Sequence, residues 1–206
     1  MTVSKRVDGA FFQAALTAHR LVAVIRSGSA DAALVRAKNA VDAGVGVLEI
    51  AWTTPNAASV VEQFPGRVAC LGAGTILTPA QADEAHQAGA QFFMGPNYSP
   101  DVAERARSLG VLYIPGVLTP RDVAEAVADG HRILKLFPAG STGPAHLKAI
   151  SEPFPGLTWI PTGGVSWMNA AEWLEAGAAG VGMGTALFDT ADLSSAVARL
   201  TEKSGW

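Results

Sequence analysis

Thr119-Pro120-Arg121-Asp122-Val123-Ala124-Glu125-Ala126-Val127-Ala128-Asp129-Gly130, followed by Arg132-Ile133-Leu134-Lys135-Leu136-Phe137-Pro138-Ala139-Gly140, holds a helix start, a helix stop and a strand in one run. The threonine oxygen can cap orphan N–H groups, and proline suits the first helical position because its missing N–H costs nothing there. Gly130 ends the helix by taking the left-handed conformation cheaply. The apolar run that follows reads as a strand. Thr78-Pro79 and Ser99-Pro100 repeat the pattern, with Gly89 and Gly110 at the same distance from the cap and with QFFMG and VLYIPG as the next strands. Thr54-Pro55 writes the helix start a fourth time.

Working outward, segments 21–26, 45–51 and 68–74 read as three earlier strands, and 157–162 and 178–184 as two later ones. Helical patterns at 30–43, 144–150, 168–176 and 189–203 fill the gaps. Near-continuous apolar strands alternating with helices imply a parallel sheet covered by helices. Eight strands fit a closed (β/α)8 TIM barrel better than an open doubly wound sheet. The loop after the first strand, IRSGSAD, also lacks the GxGxxG turn of a dinucleotide crevice. Segment 8–18 reads as an extra N-terminal helix that plugs the bottom of the barrel. The expected organisation is one α/β domain over residues 1–206.

Composition agrees: 49% of residues are hydrophobic and 16% charged, which suits a large covered interior rather than disorder. A formal net charge of −3, without runs of like sign, argues against a nucleic-acid or anionic-membrane partner. Cys70 is the single cysteine and has no disulfide partner within the chain, which fits a reducing, cytoplasmic setting. The first residues, MTVSKRVDGAFFQAAL, do not read as a secretion signal. The richest apolar stretch, 176–188, is broken by glycines and is too short to span a bilayer.

In a parallel barrel the chemistry belongs at the C-terminal ends of the strands. Two charged residues interrupt apolar runs there, Lys135 in ILKLF and Glu49 in LEIA. Strand side chains alternate, so Lys135 shares its face with Ile133 and Phe137. Burial disfavours the charged form of a lysine and so exposes a nucleophilic amine, which can attack a ketone and form an imine. The imine draws electrons from the neighbouring carbon–carbon bond, the basis of class I aldol cleavage. A nearby carboxylate, Glu49, suits the accompanying proton transfers. The bland reading is a buried ion pair that only sets strand register. Such pairs are costly to bury and weak as stabilisers.

Two late loops, PTGGVS (161–166) and GMGT (182–185), are glycine-rich where barrels often bind phosphate. Gly163, Gly164 and Gly184 would let backbone N–H groups approach an anion, and Ser166 and Thr185 would add hydroxyls; glycines also serve tight turns. Arg26 ends the first strand, where it can grip a substrate carboxylate with two parallel hydrogen bonds or sit as a surface arginine. His19, His86, His131 and His146 show no HxH or HExxH spacing, which disfavours a metal-dependent mechanism. No Ser-His-Asp constellation can be assembled at the strand ends. Met94, Trp52 and Trp159 read as packing residues. No cofactor is expected.

Taken together, LEIAWTTP, GAGTILTP, GHRILKLFPA and IPTGGVS resemble the 2-keto-3-deoxy-6-phosphogluconate (KDPG) aldolase family, a likeness that runs from about residue 21 to 188. The resemblance implies a trimer of barrels that cleaves KDPG to pyruvate and glyceraldehyde 3-phosphate. It also implies Lys135 as the Schiff-base lysine and Glu49 as the proton-transfer residue. Thr75, Pro96, Phe137 and Thr162 match positions around the 2-oxo acid. Gly163, Gly164, Gly184, Thr185 and Ser166 match the phosphate loops. Some members carry a carboxylate-binding arginine four residues after the glutamate, where this chain has Thr53; others resemble it in placing an arginine at the end of the first strand, so Arg26 is expected to take that role. Relatives of the galactonate epimer share LKxFP and are similar at MGPNYSP, whereas Thr162 resembles the gluconate enzymes. Some relatives cleave 4-hydroxy-2-oxoglutarate to pyruvate and glyoxylate. Two rival functions remain at this level: a phosphosugar isomerase or decarboxylase on the same barrel, and a phosphometabolite-binding protein without catalysis.

Overall fold

The computed structural model of the chain describes residues 7–202. Helix α1 (Gly9–His19) opens the chain, its first turn capped by Asp8, which accepts from the Phe11 N–H. Strands β1 (Leu21–Ile25), β2 (Val47–Ala51), β3 (Cys70–Gly74), β4 (Phe92–Met94) and β5 (Leu112–Ile114) follow, separated by α2 (Ala30–Asp42), α3 (Ala57–Val61), α4 (Pro79–Gln87) and α5 (Pro100–Leu109). Then come β6 (Gly116–Val117), α6 (Pro120–Ala128), β7 (Ile133–Leu136), α7 (Pro144–Ser151), β8 (Thr158–Pro161), α8 (Ala170–Glu175), β9 (Val181–Met183) and α9 (Leu193–Thr201). All pairings are parallel, in two strips ordered β5-β4-β3-β2-β1-β9 and β6-β7-β8. This is an α/β fold with a curved parallel sheet.

The repeat behaves as its chemistry demands in three of its four copies. Thr78, Ser99 and Thr119 each accept a hydrogen bond from the backbone three residues on, with proline in the first turn. Gly89, Gly110 and Gly130 all carry positive φ (99°, 67° and 93°). Thr54-Pro55 does not start a helix. The Thr54 hydroxyl is buried and accepts from the Ser27 N–H (3.2 Å), so it is occupied by the loop after β1. Helix α3 begins only after Asn56, which gives no side-chain cap.

Other boundaries shift for equally local reasons. VLYIPG is not one strand: Pro115, which lacks an N–H, separates β5 from β6. Segment 189–203 begins as a turn, because Asp192 is the residue that caps α9; Lys203 lies outside the described residues. Segment 168–176 becomes helical only at Ala170, since the Asn169 side chain is engaged in the preceding loop.

Alternation sorts the strand side chains into two sets. One faces the helices, as Leu48, Ile50, Leu134 and Leu136 do. The other faces inward: Val47, Cys70, Phe92, Ile133 and Ile160 cluster with Phe12 and Leu16 of α1. The Phe12 and Phe92 rings meet edge to face, 4.9 Å between centroids. Helix α1 thus supplies apolar bulk beneath the strands, and the polar inward residues lie nearer the strands' C-terminal ends.

Candidate active site

On two strands an inward apolar position near the bottom is followed two residues later by one with chemistry. On β2, Val47 gives way to Glu49; on β7, Ile133 gives way to Lys135. Both polar groups are almost wholly buried, Glu49 at 0% and Lys135 at 4% exposure. Lys135 Nζ stands 4.0 Å from Glu49 Oε1, beyond hydrogen-bond range, and 5.1 Å from the centre of the Phe137 ring. Among the described residues neither carboxylate oxygen of Glu49 has a hydrogen-bond partner. Burial pushes the Glu49 carboxyl above the usual carboxylate range, with Lys135 and then Arg26 pulling the other way. The result is an acid that keeps its proton more readily than a surface glutamate, 4.0 Å from the Lys135 nitrogen.

Gly74, at the end of β3, makes this possible. A Cβ there would run into the Glu49 carboxylate. The next residue, Thr75, is β-branched yet has φ +58°, and its hydroxyl accepts from Arg26 Nη2 at 3.1 Å. Positive φ is a costly conformation for a branched side chain, held here by its surroundings. Arg26 itself is exposed and follows directly on β1; its carbonyl accepts from Arg36 Nη1 (3.3 Å). Thr53 is exposed in the turn after β2. Pro96 lies against the backbone of Gly116, where a Cβ would meet it, and shares a cavity of about 170 Å³ with Tyr98, Val117 and Phe137. Thr162 is buried, donates to the Ile160 carbonyl (3.3 Å) and occupies the space that a side chain at Gly182 would need.

The two glycine loops sit side by side. Gly163 and Gly164 have φ of +83° and +85°, and a Cβ on Gly164 would stand 2.7 Å from Gly140 Cα. Close approach to the turn after β7 therefore demands glycine at 164 whatever the loop binds. Among the described residues the N–H groups of Gly164 and Val165 are given to no protein acceptor. The Ser166 N–H is spent on Asn169 Oδ1 (2.9 Å), and Asn169 Nδ2 donates back to the Gly164 carbonyl (3.1 Å). Gly184 precedes the short 3-10 turn Thr185–Phe188, with Thr185 exposed.

The remaining residues singled out in the sequence are engaged in packing or in hydrogen bonds of their own. His146 Nε2 bonds the Leu118 carbonyl, His131 packs edge-on to Tyr98 and Tyr113, and the His19 ring fills the space beside Gly46. Met94 and Trp159 are buried, and Trp52 Nε1 donates to Glu84 at 3.3 Å. Gly74 and Thr54 were not legible as site residues, because neither carries a reacting group; only their neighbours' need for space and for an acceptor reveals them. Trp167, whose indole N–H donates to the Leu187 carbonyl at 3.0 Å, escaped for the same reason.

The family profile of KDPG and KHG aldolases matches residues 12–201. The chain belongs to that family. It is 34% identical over 173 residues to the 2-dehydro-3-deoxy-6-phosphogalactonate aldolase of Escherichia coli, covering 82% of this chain and 84% of the relative. It is 32% identical over 163 residues to the 2-dehydro-3-deoxy-phosphogluconate aldolase of Treponema pallidum, covering 78% of each. Among solved structures, a KDPG aldolase from Legionella pneumophila, with pyruvate captured as a covalent carbinolamine, superposes with a TM-score of 0.78 at 30% identity over 92% of this chain and 95% of that one. The chain is thus a class I, KDPG-type aldolase, a lyase. Among its described residues no helix is long and apolar enough to cross a membrane.

Proposed function

We propose that this aldolase cleaves 2-keto-3-deoxy-6-phosphogluconate to pyruvate and glyceraldehyde 3-phosphate, through an imine on Lys135, on a single (β/α)8 domain spanning residues 1–206. Closure of the barrel is supported where the strips meet: β5 runs on into β6 through Pro115, so one stretch of chain pairs with β4 on one side and β7 on the other. The Pro115 carbonyl accepts from Lys135 N–H (2.9 Å) and that of Val117 from Phe137 N–H (3.0 Å); on the other side Thr162 bridges Gly182. Helix α1 is the additional N-terminal helix of that barrel. A trimer in the cytoplasm is the assembly and setting we expect. The first is in keeping with a structural neighbour, a cage designed by fusing symmetric oligomeric domains, and the second with a lone cysteine, Cys70, buried and pushed up to about 12 by that burial.

The observation that carries the reading is the buried pair, an amine and a carboxyl 4.0 Å apart whose carboxyl oxygens are otherwise unpartnered. Lys135 Nζ adds to the C2 ketone, and the carbinolamine loses water with a proton supplied by Glu49. The C3–C4 bond then breaks: its electrons flow into the protonated imine, the C4 hydroxyl yields its proton to Glu49, and the aldehyde leaves. The enamine takes a proton at C3, and hydrolysis returns pyruvate and free Lys135. A carboxyl raised by burial suits both directions of transfer. Arg26, held by Thr75, is aimed to bind the substrate carboxylate; Thr53 supplies no charge there. Pro96, Phe137 and Thr162 bound the 2-oxo acid, and Gly163, Gly164, Ser166, Gly184 and Thr185 form the phosphate end. The Ser166 hydroxyl rather than its N–H serves, since Asn169 holds the latter.

The 34% identity to a galactonate-epimer enzyme favours a second reading in which that epimer is the better substrate. Likenesses to an orotidine 5'-phosphate decarboxylase and a thiamine phosphate pyrophosphorylase, each 16% identical with a TM-score of 0.70, speak to the fold alone. Pyruvate release from the two epimers and from 4-hydroxy-2-oxoglutarate, followed as kcat/KM, tests the proposal. The gluconate epimer should be cleaved most efficiently; a galactonate preference would replace the substrate, and no release from any of the three would reject the activity.

A further inference from the structure

The geometry points to Trp167 as the residue that makes this aldolase selective for phosphorylated aldehydes, by clamping the two glycine loops to one another. It is a positioning residue, and the inference rests on those loops being the phosphate end of the site.

The argument begins with the sheet. Neighbouring strands β1 and β2 share a register over four residue pairs and β2 and β3 over five, while β8 and β9 share a single bridge, Thr162 to Gly182. The loops leaving β8 and β9 therefore depart from the seam with the shortest paired register, a single bridge with one further hydrogen bond, Ala179 N–H to the Trp159 carbonyl (3.1 Å), nearer the bottom. Their separation is not fixed by a ladder. Each is stiff in itself: Asn169 braces the first through Ser166 N–H and the Gly164 carbonyl, and the second is pinned by Leu187, whose side chain is fully buried. The Trp167 indole N–H reaches across to the Leu187 carbonyl at 3.0 Å, and its ring packs on the outer apolar cluster. One hydrogen bond thus joins two rigid pieces over a weak seam. An anion gripped by N–H groups from both loops needs their spacing held to a fraction of an ångström, whereas an aldehyde without phosphate makes no such demand.

Trp167→Phe keeps the ring and removes the donor. Condensation of pyruvate with glyceraldehyde 3-phosphate should show KM for that aldehyde raised about three- to tenfold, the effect of one neutral hydrogen bond. The KM for glyceraldehyde and the rate of pyruvate methyl-proton exchange, which reports an intact Lys135 site, should stay within about twofold. Equal losses on both aldehydes, or no change on either, would overturn the clamp. Inorganic phosphate added to the wild-type protein gives a second test that needs no variant: exchange of the Trp167 indole proton should slow, and an unaltered rate would overturn the inference. A wild-type enzyme that does not discriminate between the two aldehydes would remove the phosphate reading itself, whereas wild-type discrimination that persists in Trp167→Phe removes only Trp167's part.

Discussion

The bottom and the top of the inward face are built by the same strands and obey opposite rules. At the bottom, Val47, Cys70, Phe92 and Ile133 close on Phe12 and Leu16 of α1. Further towards the C-terminal ends of the same strands stand Glu49, Gly74 and Lys135. Each layer contains a glycine on β3 that makes room for one large neighbour. Gly72 yields to the Phe92 ring below, and Gly74 yields to the Glu49 carboxylate above. Below, the space admits an aromatic ring and the return is hydrophobic burial. Above, it admits an ionisable group with no hydrogen-bond partner, which costs stability and leaves the carboxyl free to act. Stability and chemistry are thus separated by one side-chain layer within a continuous interior.

The sharpest break of this contrast is at Lys135. Lys135→Met keeps the volume and should lower kcat for cleavage on the order of 10⁴-fold or more, as loss of a covalent nucleophile does elsewhere. The protein should stay folded by circular dichroism. The two glycines provide a paired test. Gly74→Ala should displace Glu49 and reduce kcat by about 100-fold or more, the scale of lost general acid–base help, and Gly72→Ala should cost about 1–3 kcal/mol of stability through overpacking. The folded Gly72→Ala enzyme should keep near-normal kcat. If both variants lose activity and stability in the same proportion, the separation of layers fails.

Arg26→Ala lies on the rim rather than in either layer. Loss of a charge-assisted grip of about 1.5–3 kcal/mol should raise KM for pyruvate exchange and for the full substrate by roughly 10- to 100-fold. Unchanged Michaelis constants would show that Arg26 is a surface residue. The smallest effect is in the pH dependence of stability. A carboxyl raised on folding contributes stability that is fully present below its unfolded value, near 4.5, and is lost as pH rises through the folded value. Wild type should therefore lose stability relative to Glu49→Gln as pH increases over that range. A difference in Tm between the two that does not vary with pH would contradict the burial of a titrating Glu49.

The alternation of capped helices and apolar strands was legible because its signals are local. A hydroxyl, a proline and a glycine each act within one turn of helix, as Thr78, Ser99 and Thr119 do. Thr54-Pro55 misled for the converse reason: its hydroxyl answers to the Ser27 N–H, 27 residues away in sequence. The break at Pro115 could be anticipated from its missing N–H, yet the apolar run around it read as continuous. In the site, Lys135 and Glu49 stood out because a charge in an apolar run has no local excuse. Gly74, Asn169 and Trp167 did not, since each matters through a partner reached only in three dimensions. Glycines 163 and 164 read as ligand-binding or tight-turn residues, and a further reason for glycine, close packing against Phe137 at 163 and against Gly140 at 164, appears only in three dimensions.

The central claim is that the buried amine of Lys135 captures a 2-oxo acid. Incubation with pyruvate, reduction with borohydride, intact mass measurement and peptide mapping test it most directly. The account predicts one stable adduct, confined to the peptide that carries Lys135 and absent from Lys135→Met. A folded, unlabelled wild-type protein, or an adduct on any other lysine, would contradict it.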